Sequence, residues 1–83
     1  MSASPGPGPF RLSYEVRASG RAVIEIFTVT GRRVVRHDLG VLDPSRGEMN
    51  WDGRGDDGAP VASGIYFARF AGSSSAVRLV LVR

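Results

Sequence analysis

Asp52, Asp56 and Asp57 fall within one short stretch of the chain, and three neighbouring carboxylates suggest a cation. A calcium loop needs about 6–8 oxygen ligands at regular spacing. Counted from Asp52, Arg54 occupies the third ligand position, and Asp57 stands where such a loop requires glycine. A guanidinium among the ligands repels the ion. The aspartates therefore read as turn-forming carboxylates, with no metal. The same stretch spells Arg54-Gly55-Asp56, the tripeptide that integrins recognise. Such a match has meaning only on a protruding loop, and three-residue matches are common in a chain rich in arginine and glycine.

His37 is the single histidine, with Asp38 and Asp43 nearby in sequence. A triad also needs an activated serine. Ser63-Gly64 reads as a strand entrance and Ser73-Ser74-Ser75 as a loop, so His37 reads as an exposed strand residue. With no cysteine and one histidine, thiolate chemistry, disulfides and two-histidine metal sites are excluded. All eleven basic residues are arginine, set against eight acidic ones, for a net charge of +3. Arg32, Arg33 and Arg36 form the densest basic run. Nucleic-acid binding on a β surface needs aromatic rings standing among the basic groups. The aromatic residues here read as core, so the arginines read as edge-strand charges that discourage sheet-to-sheet pairing.

Eighty-three residues allow one small domain with a modest core. Residues 1–9, rich in proline, glycine and serine, read as an extended linker without the cationic start or apolar stretch of a signal peptide. No apolar run is long enough for a membrane-spanning helix.

The elements that must hold these residues are strands. Phe10, Leu12, Tyr14 and Val16 alternate with Arg11, Ser13 and Glu15. Residues 21–29 are apolar on both faces, which predicts a central strand. Further strands are expected over 32–39, 47–52, 63–70 and 76–82, where Val77, Leu79 and Leu81 share a face. Turn signals separate them, and nothing shows a helical period. About six or seven short strands at regular spacing predict an all-β fold: a small antiparallel Ig-like, fibronectin-III-like β-sandwich over residues 10–83.

The run after Trp51 has its own physical reading. Gly53, Gly55 and Gly58 lie in a polar segment that needs positive φ at one or more positions. Asp52 and Asp57 can turn their carboxylates onto backbone amides and fix the loop. Trp51 offers the largest single burial and is expected to close the core at one end. Tyr66 is expected to bury its ring near the other end and tie its hydroxyl to nearby backbone. Gly64 is expected to allow close strand approach.

Trp51-Asp52-Gly53-Arg54, then Gly58, then Pro60-Val61-Ala62-Ser63-Gly64-Ile65-Tyr66, follows a spacing that resembles the FlgD-type Ig-like domain. It is also similar to the C-terminal sorting domains of the type IX secretion system. Gly31-Arg32, placed five residues after Ile26, matches a second motif of these families, with Phe27 and Thr28 where they carry tyrosine and aspartate. Arg78, Leu79, Val80, Leu81 and Val82 resemble their closing strand.

The resemblance covers about residues 10–83. It implies a non-catalytic accessory domain without cofactor, normally fused to a larger exported bacterial protein and so placed outside the cell or at its surface. It would act as a sorting or attachment module whose partner is secretion or assembly machinery, with no small-molecule substrate and no nucleic acid. Gly31, Trp51, Asp52, Gly53, Gly58, Gly64 and Tyr66 would be structural, and residues 78–82 would present a partner-binding strand. The alternatives are an assembly domain of flagellar hook-capping type and a free-standing adhesin-like or carbohydrate-binding module.

Overall fold

The computed structural model describes residues 10–73 and 75–82; the expected linker, residues 1–9, lies outside them. Six strands form: β1 (Phe10–Val16), β2 (Gly20–Thr28), β3 (Arg33–Leu42), β4 (Ser45–Trp51), β5 (Gly64–Phe70) and β6 (Val77–Leu81). They make two antiparallel sheets. One pairs β1 with β4; the other runs β3-β2-β5-β6. The fold is the expected small β-sandwich, and β2 is central, as its two apolar faces predict.

Alternation along the strands builds the core. Phe10 and Leu12 of β1, with Met49 and Trp51 of β4, face Ile24 and Ile26 of β2, Tyr66 and Ala68 of β5, and Leu79 and Leu81 of β6. Each strand contributes residues two apart, the period that puts side chains on one face. Leu12, Ile24, Ile26 and Leu79 are the largest fully buried side chains. Each contributes roughly 1.5–3 kcal/mol by leaving water. No buried polar or charged residue interrupts the core among the described residues.

Two strands run further than their glycines suggest. β3 continues past Gly40 to Leu42, because Leu39 is the extra residue of a β-bulge: Ala22 faces Gly40, and Val23 faces Asp38. Gly40 adopts φ 78°, and its amide donates to Asp38 Oδ1 at 2.8 Å. That hydrogen bond, helped by Arg21 and Arg36, lowers the Asp38 pKa. The other carboxylate oxygen accepts from Arg21 at 2.6 Å. Asp43 and Pro44 then carry the chain from one sheet to the other. Proline suits this corner because no ladder bond is asked of its nitrogen.

β4 likewise starts at Ser45, two residues before the expected position, and carries Gly47 inside it. Gly47 sits opposite Tyr14, whose ring lies over it. A Cβ there would come within 2.5 Å of the Tyr14 hydroxyl oxygen and 2.6 Å of Cζ. Tyr14 in turn meets Phe70 edge-on, with centroids 5.7 Å apart, and so joins the two sheets at this end. Gly47→Ala should push the tyrosine off this seat and destabilise by about 1 kcal/mol. In a Tyr14→Ala background the same change should cost little. Chemical denaturation of the four proteins checks the cycle, and equal costs in both backgrounds would contradict it.

Candidate functional site

Trp51 ends β4 and touches three parts of the molecule. Its indole stacks on Phe10 of β1 at 5.8 Å between centroids and 29° between planes. It meets Tyr66 of β5 edge-on at 5.5 Å and 70°. Its Nε1 donates to the Arg54 carbonyl at 2.8 Å. The indole therefore bonds the two sheets to each other and to the loop that crosses between them. The expectation that indole and phenol close opposite ends fails here, since the rings are neighbours. The Tyr66 hydroxyl donates to the Ala62 carbonyl at 2.5 Å, the local backbone tie expected of it.

The loop of residues 52–63 is held by its own bonds. Asp52 Oδ1 accepts from the Arg54 amide at 3.1 Å, and Asp57 Oδ1 from the Ala59 amide at 3.0 Å. Both carboxylates do the turn-making work predicted for them. The amides of Gly55, Gly58 and Val61 donate to the carbonyls of Ala59, Gly55 and Gly53 at 3.0, 2.9 and 2.9 Å. Gly53 and Gly58 take φ 78° and 82°, which side chains other than glycine adopt at a cost. Gly31 makes the β2–β3 turn, its amide donating to the Thr28 carbonyl at 3.0 Å. At Gly64 a Cβ would meet nothing within 4 Å, so this glycine answers to its φ of 157° and not to close strand approach.

Sequence reasoning missed the role of Asp56. Its amide donates to the Val34 carbonyl at 2.9 Å, and its Oδ2 accepts from the Arg36 amide at 2.9 Å. Val34 is the extra residue of a second bulge, between the pairs Ile26–Val35 and Phe27–Arg33. Asp56 thus covers the outer edge of β3 at its irregular point. A contact across 20 positions leaves no mark in local sequence.

The same geometry answers the tripeptide reading. The Arg54 guanidinium donates to the Gly58 carbonyl at 2.9 Å, and Asp56 is bonded to β3. The segment lies on the sandwich and does not protrude. Among the described residues no three of His, Cys, Asp and Glu gather as a metal site. A groove of about 450 Å³ separates the loop from the β2–β3 turn, lined by Arg32, Arg33, Asp56, Asp57 and Tyr66 among others; His37 is not in it and stands exposed on β3.

The closing strand divides by face. Leu79 and Leu81 are buried in the core, Arg78 and Val82 are exposed, and Val80 is half-buried. β6 pairs with β5 and forms one edge of the four-stranded sheet. The charged edge predicted for the arginine run is also present, with β3 forming the opposite edge. The aromatics are less uniformly inward than expected: Phe27 and Phe67 face each other on the outer surface, half-buried.

If the indole joins the sheets, Trp51→Ala should cost about 3–5 kcal/mol in a denaturant melt. Tyr66→Phe, which removes one part-buried hydrogen bond and keeps the ring, should cost about 1 kcal/mol. A midpoint unmoved by Trp51→Ala would remove the indole from the core.

Comparison with known families agrees with this arrangement. The sequence matches the family model of the FlgD Ig-like domain over residues 4–76, which takes in β1 to β5 and the Trp51 loop and stops before β6. No curated protein and no solved structure matches the chain. Domains of this family are structural and non-catalytic. With its two antiparallel sheets, its Trp51-Asp52-Gly53 loop and a match over most of its length, the chain belongs to the FlgD Ig-like domain family.

Proposed function

We propose that this accessory domain is a sorting or surface-attachment module of an exported bacterial protein, read by secretion machinery of the type IX kind. The observation that carries the reading is the place of β6. It is an edge strand, five residues long, paired on one side with β5. Val77 and Val80 are β-branched and favour extended chain, and the strand contains neither proline nor a register shift that would block a further strand. The opposite edge of the same sheet is guarded, by Asp56 and by the charges of β3. A receptor adding a strand would therefore meet one receptive edge and one defended edge. The similarity of residues 78–82 to a sorting domain's closing strand supports the same reading.

The role is one of recognition. The aspartates of the Trp51 loop are spent on backbone amides, and the residues around them hold a shape. The strands β1 to β6 are taken as this module, and the proline- and glycine-rich residues 1–9 are proposed as its link to the parent protein. An assembly role of hook-capping type would use the same scaffold.

Fusion of residues 1–83 to a periplasmic reporter in a host with type IX export tests the reading. The reporter should reach the cell surface or medium, and the Trp51→Ala fusion, with its sandwich loosened, should not. Retention of the reporter in the periplasm by the intact, folded module would exclude the sorting role and favour assembly.

A further inference from the structure

The two outward faces of the sandwich differ in kind. On the β1–β4 sheet, Arg11, Ser13 and Glu15 stand opposite Asn50, Glu48 and Arg46. Ion pairs join Arg11 to Glu48 at 3.6 Å and Arg46 to Glu15 at 3.4 Å. This is a solvated surface. On the four-stranded sheet, Phe27 stands opposite Phe67, and Ile65 opposite Val80. Directly opposed residues share a face. Ile65 is 41% exposed, and Val29 and Val82, at the ends of the patch, are 63% and 55% exposed. A groove of about 280 Å³ opens beside the two phenylalanines, lined also by Val29, Arg69 and Ala76. Contiguous exposed apolar area on one face is where a small domain can bury surface against a partner.

The charges beside this patch are unbalanced. The Arg69 guanidinium lies 4.7 Å from the Phe27 centroid, and its Nε, shut from solvent, has no acceptor among the described residues. Glu25, the carboxylate opposite Arg69, is bonded to Arg33 at 3.2 Å. Arg78 stands opposite Phe67 and has no carboxylate within 4.0 Å among the described residues. Among the described residues, two guanidiniums without ion-pair partners therefore flank an apolar centre.

We propose that this face docks an acidic polypeptide segment that inserts an apolar side chain beside Phe27 and Phe67 and sets its carboxylates on Arg69 and Arg78. Charge complementarity selects the occupant. A second copy of the chain placed on the same patch about a two-fold axis would bring these arginines into one small interface, which like-charge repulsion disfavours. A nucleobase would need the open face of an aromatic ring to stack on. Arg69 already covers that of Phe27. This surface lies on the face of the sheet and not along the β6 edge, and its readout is binding by the chain itself, so it stands or falls apart from the export reading.

The experiment is an amide-shift titration of the nitrogen-15-labelled 83-residue chain at low salt. The probe is the end-blocked hexapeptide Glu-Glu-Phe-Leu-Glu-Glu, with Lys-Lys-Phe-Leu-Lys-Lys as the charge-reversed control. Saturable shifts should concentrate on residues 25–31, 65–69 and 76–82. Added salt should weaken them. The double variant Arg69→Gln, Arg78→Gln should keep a dispersed, folded spectrum and bind about tenfold more weakly or worse. Absence of shifts would overturn the proposal, as would shifts on the β1–β4 face or equal binding of the lysine peptide. Stronger binding of oligo-dT or of anionic phospholipid vesicles at the same residues would also overturn it and reassign the surface.

Discussion

One indole holds the sandwich together. A two-stranded sheet covers little of a four-stranded one, so the few side chains that reach across decide whether the layers stay joined. Trp51 reaches Phe10 within its own sheet and Tyr66 in the other, and its Nε1 fastens the loop between them. Aromatic pairs in such geometry add about 0.5–1.5 kcal/mol each beyond their buried area. Tyr14 does a smaller version of this at the far end, seated on Gly47 and touching Phe70. An 83-residue chain has few other places for such bridges.

The loop that looks richest in chemistry is therefore the most structural. Its Asp52 and Asp57 accept from turn amides that would otherwise bond to water, and these local bonds fix the shape of the loop. Asp56 extends this logic across the molecule. It occupies the backbone of β3 at Val34 and Arg36, where a bulge has already bent the strand, and so closes part of an edge against pairing with another chain. β6 at the other edge has no such cover in the described residues. The two edges of the four-stranded sheet therefore differ, one covered by the loop and the other open among the described residues.

Much of this was legible in the sequence, because two-residue alternation states directly which side chains enter a two-layer core. Leu12, Ile24, Leu79 and Leu81 follow from that alone. So do the central place of β2 and the bonds of Asp52, Asp57 and the Tyr66 hydroxyl, which are local. Glycine misled where it did not end a strand. Gly40 sits beside a bulge and Gly47 under a tyrosine, and neither partner is visible from neighbouring positions. The contact of Trp51 with Tyr66 and the seat of Asp56 on β3 were hidden for the same reason: both depend on how the sheets stack. The outward placement of Phe27 and Phe67 was missed because an aromatic residue in a strand is usually assigned inward.

The central claim is that the loop after Trp51 is part of the folded core and does not move as an independent segment. Native-state hydrogen exchange measures this directly, amide by amide. The Trp51 indole proton and the amides of Asp56 and Val61 should exchange with the same opening free energy as the amides of Ile24 and Ile26. Rapid exchange at the indole and loop, with β2 still protected, would show that the loop opens alone and would contradict the account.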